Sequence, residues 1–392
     1  MGARATAAVA PPRRQDLMDS DDLLDYSNRV FGHLPRRDQR RWATVYLSGL
    51  LATPGRKSVR RLAHTLALPS SAAQALQQFI TSSPWDWAAP RRELARLAAG
   101  LLPDAVWTTG TVLLRRGGTQ AVGLHQRPLP ESGRRVNCQL SVGLFLTDGR
   151  RSIPVDWELM LDDTWCDDPE RRRRTRIPDE VTSRPVWALA LEMLARAAAD
   201  GVAGSAPLVH GPGAGRDASL LATHLDRAGR EFVIEVPPHQ PLTALPSGGP
   251  GPATVRTGTA AGLVADHVRT ARPGRDGRRP LYSALVRFHS PKTSSAVPRR
   301  AFRLIAEIPP GRDRPSRFWL TSLLDTGAAA VHALALRSAV TETSVDQLQN
   351  GLGLLDFEGR SFPGWHHHMT LASAAYLYRS LSGAATPARA HG

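Results

Sequence analysis

The apolar residues of this chain change period near residue 105, and that change limits what it can fold into. Before it, "DLLDYSNRVFGHL", "RRWATVYLSGLLA" and "SVRRLAHTLAL" place apolar side chains three and four positions apart, the spacing of one helix face. Ser58 stands where a helix cap belongs, and Pro69 with the serines after it marks a turn into the next helix. After it, "AVWTTGTVLL", "NCQLSVGLFLTD" and "RSIPVDWELML" read as successive strands that pair with their neighbours. "RPVWALALEMLARAAADG", "APLVH", "DASLLATHLDRAG" and "REFVIEVP" then alternate helix and strand. A helical domain followed by a mixed α/β sheet is the expected architecture. Residues 1–15 and 381–392 read as tails, 16–103 as the helical domain and 104–380 as the sheet domain. A β-rich insertion is expected at about 230–325, with residues 238–280 read as irregular.

Charge narrows the partner. The formal net charge is +15 and the sequence pI about 11.1. That balance favours a polyanion, and DNA is the usual one. Lys57 and Lys292 are the only lysines, so the excess is almost all arginine, and part of it is equally explained by GC-rich coding. Cys138 and Cys166 are too few for a disulfide framework or a cysteine zinc site, which points to a reducing, cytoplasmic setting. No signal-peptide pattern and no apolar run long enough for a bilayer is read, so no membrane partner is expected. In the helical domain the basic pairs Arg36–Arg37, Arg40–Arg41 and Arg60–Arg61 suit either a DNA-binding helix-turn-helix or plain solvated faces.

Six stretches, in order, resemble the DDE transposases of bacterial insertion sequences: "GRKSVRRLA", "LQQFITSSPWD", "NCQLSVGLFL", "PVDWELMLDDTWCDDPERRRRTRIPDEV", "FWLTSL" and "GLGLLDFEGRSFPGWHHHMTLASAAY". The resemblance implies an RNase H-like mixed sheet with flanking helices. It also implies phosphodiester chemistry on three carboxylates, which hold two Mg²⁺ ions about 3.5–4 Å apart. Carried over residue by residue, Trp107 and Val122–Gly123 match the first strand and its sequel, so the first acid position falls on Gly110, with Thr111 beside it. "LVHGPGAG" stands where the second acid follows a strand, and puts Gly211 there. Counting back from "GLGLLDFEGR", the third acid is Glu342, with Ser338 and Ala339 in place of the family's Arg-Trp. Glycine offers no ligand atom, so loss of strand cleavage and transfer is expected, with no cofactor in this chain.

Rival readings are weighed against plain ones. Asp104 reads as a loop residue and Asp217 as a helix cap or first-turn charge. Asp162, Asp163, Asp167 and Asp168 read as a structural turn. His366–His368 cannot all face one ion, because consecutive helical residues point about 100° apart, so packing is expected. His210 stands beside the lost second acid. Arg171, Arg172, Arg173, Arg174 and Arg176 are expected on the DNA backbone, as are Arg115 and Arg116 near the family's basic turn. A homodimer is left open. Two alternatives stand: a working transposase with relocated ligands, and a protein repurposed to bind a nucleotide or small molecule at "GPGAG".

Overall fold

Among the residues that the computed structural model describes (21–116, 120–128, 135–203, 206–211, 217–246, 255–270, 281–289, 300–308 and 315–385), five helices precede the first strand. They are α1 (Asp21–Phe31), α2 (Arg37–Ala52), α3 (Val59–Thr65), α4 (Ser70–Thr81) and α5 (Ala88–Leu101). In α1 the buried set Leu23, Tyr26, Ser27, Val30 and Phe31 follows the 3.6-residue period. Ser58 caps α3, its side chain accepting from Arg61 N. The tail 1–15 lies outside the described residues.

The sheet domain starts with β1 (Val106–Arg115), β2 (Leu124–Pro128), β3 (Arg135–Thr147) and β4 (Ser152–Leu159). Short helices α6 (Asp163–Cys166) and α7 (Pro169–Thr175) lead to α8 (Val186–Ala199), β5 (Leu208–His210), α9 (Ala218–Arg227) and β6 (Phe232–Val236). β7 (Pro241–Ala244), β8 (Arg256–Thr259), α10 (Ala260–Thr270), β9 (Leu281–Phe288), β10 (Phe302–Glu307) and β11 (Arg317–Thr321) follow, then α11 (Ala328–Ala335), α12 (Arg337–Leu352) and α13 (Phe362–Ala385).

All described strands join one eleven-stranded sheet, in the order β2-β3-β1-β5-β6-β11-β10-β9-β7-β8, with β4 also on β3. β1 runs antiparallel to β3 and parallel to β5, and β5 runs parallel to β6. Helices lie against this mixed sheet, which is the α/β, RNase H-like arrangement. The stretch 238–280, read as irregular, holds β7, β8 and α10. These strands carry few apolar residues, so local pattern hid them. They extend the main sheet because β11 pairs with β6. The tail expected from 381 is helical through Ala385, and 386–392 lie outside the described residues.

α13 is the axis of the molecule. Every residue from Gly364 to Leu377 is buried, as expected for a helix enclosed on all sides. Its three histidines reach three different partners. His366 Nδ1 accepts from Arg91 Nη2 at 3.1 Å. His367 places Nδ1 3.0 Å from Ile80 O and Nε2 2.9 Å from Trp85 O, and a neutral ring donates to one carbonyl at a time. His368 Nε2 donates to Gly353 O, while its Nδ1 accepts from the Tyr46 hydroxyl, both at 3.0 Å. The triplet is packing, as its spacing demands.

Burial holds these imidazoles neutral. The His367 and His368 pKa values are pushed down to about 4, and His366 is lowered well below the ordinary value. Unfolding restores a pKa near 6.5, so the unfolded chain takes up more protons and stability falls as the pH is lowered. The contribution is complete above about pH 6.5 and is lost as pH falls toward 4. Urea unfolding at pH 7.5 and 5.0 is expected to show a loss on the order of 2 kcal/mol per imidazole. His368→Gln is expected to flatten the profile. A flat wild-type profile would contradict the assignment.

Candidate active-site cleft

A cleft of about 590 Å³ opens at the carboxyl end of β5, beside the middle of β1 where the parallel pairing stops, the end at which open α/β sheets bind ligands. Gly110, Gly211 and Glu342 all line it. Glu342 arrives there through α12, which buries Ser338, Thr341, Val345 and Leu348 against the sheet domain at helical spacing. Glu342, one position past that face, is exposed at the rim.

The two glycines differ. A Cβ on Gly110 would stand 3.0 Å from Phe145 Cε2, 3.0 Å from Val345 Cγ2 and 3.2 Å from Thr341 Cγ2. Gly143 lies opposite Gly110 in the β1–β3 register, and the Phe145 ring covers both. A side chain at Gly110 would therefore press on Phe145, Val345 and Thr341, which must give way to admit it. A Cβ on Gly211 would meet only Ser338 Cβ, at 3.6 Å, an ordinary contact. Below Gly110, four buried hydroxyls close on each other: Thr108 to Thr147 and to Thr341 at 2.6 Å each, Thr147 to Ser152 at 2.6 Å, and Ser152 to Thr341 at 3.0 Å. They tie α12 to β1, β3 and β4 with every hydroxyl engaged.

His210 ends β5 and faces the cleft with 2% exposure. Its Nδ1 is 2.7 Å from Thr109 Oγ1, and its Nε2 is buried without a hydrogen-bond partner. Burial pushes its pKa down to about 4. Asp217, read as a cap or first-turn charge, occupies the N-cap position of α9 without a side-chain cap bond, and it lines the cleft. Loop residues 212–216, with the Gly-rich turn and Arg216, lie outside the described residues. The other wall is apolar, with Leu140, Met160, Val186 and Trp187, and Arg127 also borders it. Arg127 and Trp187 carry no motif, and sequence reasoning missed them.

A two-metal centre needs three hard carboxylate ligands. The cleft offers two, Asp217 and Glu342, beside two glycines. Among the described residues no three His, Cys, Asp or Glu side chains form a group that could hold a metal ion. The residues present do not fit the group. Asp104 sits exposed in the turn before β1, and Asp168 caps α7 by accepting from Glu170 N and Arg171 N.

The arginines divide by what they already bind. Arg172 donates to the carbonyls of Cys166, Val181 and Pro178, and Arg116 to Phe357 O and Gln139 Oε1. These two brace the fold. Arg171 pairs with Asp168 and lies over Trp165, and Arg176 reaches Ser82 O and Ser361 Oγ. Arg115, Arg173 and Arg174 are exposed. Trp85, Trp157 and Trp165 donate indole N–H groups into the interior, as packing anchors do. Among the described residues no helix is long and apolar enough to cross a membrane.

A family model described as DDE superfamily endonuclease matches residues 29–306. A search of the curated proteins finds no match.

The asymmetry of the glycines is testable. Gly110→Asp is expected to lower stability by about 1–3 kcal/mol, since core atoms must move to admit it. Gly211→Asp is expected to shift stability by less than about 1 kcal/mol. Urea unfolding of both variants ranks them, and the reverse order would refute the packing account.

Proposed function

The chain belongs to the DDE superfamily endonucleases, and from that premise we propose a transposase-descended protein that still binds DNA but no longer cuts or joins its strands. One observation carries the reading: Gly110, Gly211 and Glu342 line the same cleft, and a side chain at Gly110 would press on Phe145, Val345 and Thr341. A lone Glu342 at those three positions cannot clamp both oxygens of an in-line displacement. The net charge of +15 and the exposed Arg115, Arg173 and Arg174 support contact with the phosphate backbone. A second reading, a working enzyme with a relocated ligand, draws on Asp217, whose carboxylate reaches the same cleft as Glu342.

Two measurements separate them. With Mg²⁺ or Mn²⁺ and terminal-repeat DNA, no nicking above background is expected. Nicking that Glu342→Ala abolishes and Asp346→Ala leaves intact would establish the second reading. DNA affinity is expected to fall steeply with salt, and Arg173→Ala with Arg174→Ala to reduce the log–log slope by about 2. An unchanged slope would remove these two from the interface.

A further inference from the structure

Among the described residues, the Asp217 and Glu342 carboxylates of the cleft have no hydrogen-bond or ion-pair partner. Arg317 acts on Glu342 only at longer range, and Glu235 already grips its guanidinium at 3.0 and 2.5 Å. Arg127 borders the same cleft from β2, three strand positions from β5, or about 14 Å at the usual strand spacing. A second, independent feature belongs to the same space: His210 is 98% buried, lines the cleft, and carries a buried Nε2 with no hydrogen-bond partner. Buried polar atoms without partners are rare enough to demand a cause.

We propose that the cleft binds a small organic ammonium ion, a primary amine or diamine, between Asp217, Glu342 and His210. The proposal rests on the reading that no two-metal centre forms here. Magnesium demands near-octahedral oxygen ligation that these residues do not supply. An ammonium group asks less: a compensating negative charge and a few acceptors at hydrogen-bond distance. The two carboxylates supply the charge. The Thr109 and Thr111 hydroxyls and the His210 Nε2 lone pair supply acceptors when Nδ1–H donates to Thr109. A neutral imidazole suits a cationic guest, which an imidazolium would repel. The methylenes of the ligand run over Val186, Met160 and the Trp187 ring, where a cation also gains from the aromatic face. The volume of about 590 Å³ lies within the ordinary range for small-molecule sites.

Isothermal titration of the full chain with 1,4-diaminobutane tests this. Saturable binding is expected, weakened about tenfold by Glu342→Gln and by Asp217→Asn. Glu342 is exposed and Asp217 is half-buried with no side-chain cap bond to lose, so the variants should fold. Glu170→Gln, exposed on α7, is expected to leave binding unchanged. 1,4-Butanediol, the same length without charge, should not bind. No saturable heat up to about 10 mM overturns the proposal. So does affinity that neither variant changes, which marks a general surface effect. Adenosine binding in place of the diamine, with the same dependence on Glu342, overturns the ammonium class in favour of ribose hydroxyls on the carboxylates. Parallel Mg²⁺ nicking assays keep the two readings apart. Nicking removes the premise, whereas neither nicking nor diamine binding removes this proposal alone.

Discussion

A single buried guanidinium joins the two halves of the molecule. Arg91, on α5 of the helical domain, is only 5% exposed. Its Nη1 donates to Asp156 Oδ1 at 2.7 Å and Trp157 O at 2.8 Å, its Nε to Thr370 Oγ1 at 2.8 Å, and its Nη2 to His366 O and Nδ1 at 3.1 Å. One side chain thus fixes α5, β4 and α13 to each other. Arg196 from α8 completes the cluster by bridging Asp156 and Glu158. A buried ion pair adds little net stability over a well-packed apolar core, yet removing one partner costs about 3–5 kcal/mol because the other charge is stranded. The arrangement therefore acts as a register pin. β4 sets β3, β3 sets β1, and β1 places Gly110 beneath α12.

The family-like stretches converge on the same axis. Lys57 N donates to Asp356 Oδ2 and Arg56 pairs with Glu358, joining the first stretch to the last. "LQQFITSSPWD" supplies the carbonyls of Ile80 and Trp85 to His367, and "PVDWELML" supplies Asp156 to Arg91. Gly353, at φ +66° ending α12, gives its carbonyl to His368, and a Cβ there would run into the Lys57 side chain at 2.3 Å. These residues are a packing shell around α13, not reacting groups. Losing a buried member such as Arg91 or His367 strands a buried polar atom. Losing a carboxylate from an open cleft strands nothing, and active-site acids commonly oppose stability. The shell around α13 is thus held by constraints that do not act on the open cleft, which is how the proposed loss of acids there would leave the family-like stretches intact.

What the sequence revealed follows from that division. The period change, β1 and the packing role of the histidines rest on local pattern or short spacings and could be read directly, whereas Gly110, Gly211 and Glu342 are picked out only by the family resemblance, and the fold lines one cleft with all three. Three features could be read by neither route. β7 and β8 join the sheet through pairing with distant β9, which no local period encodes. Arg116 and Arg172 look like their neighbours in a basic run, and only the fold shows them bound to carbonyls. The crowding at Gly110 comes from Phe145 on β3 and Val345 on α12, residues remote in sequence that meet only after the sheet and helix have packed.

That crowding also gives the two vacant positions different prospects. At Gly211 the neighbouring Ser338 stands back at ordinary contact distance, so one substitution could restore a carboxylate there. At Gly110 the Phe145 ring also packs edge-on against Trp157 at 5.4 Å, and Trp157 donates its indole N–H to Ser373 on α13. Moving the ring disturbs the contacts that hold the central helix, so a first-strand acid would strain the core beyond its own site. Close-packed interiors transmit such strain instead of absorbing it. On the function proposed above, two-metal chemistry would need not only acidic side chains but also the yielding of the aromatic packing around Gly110.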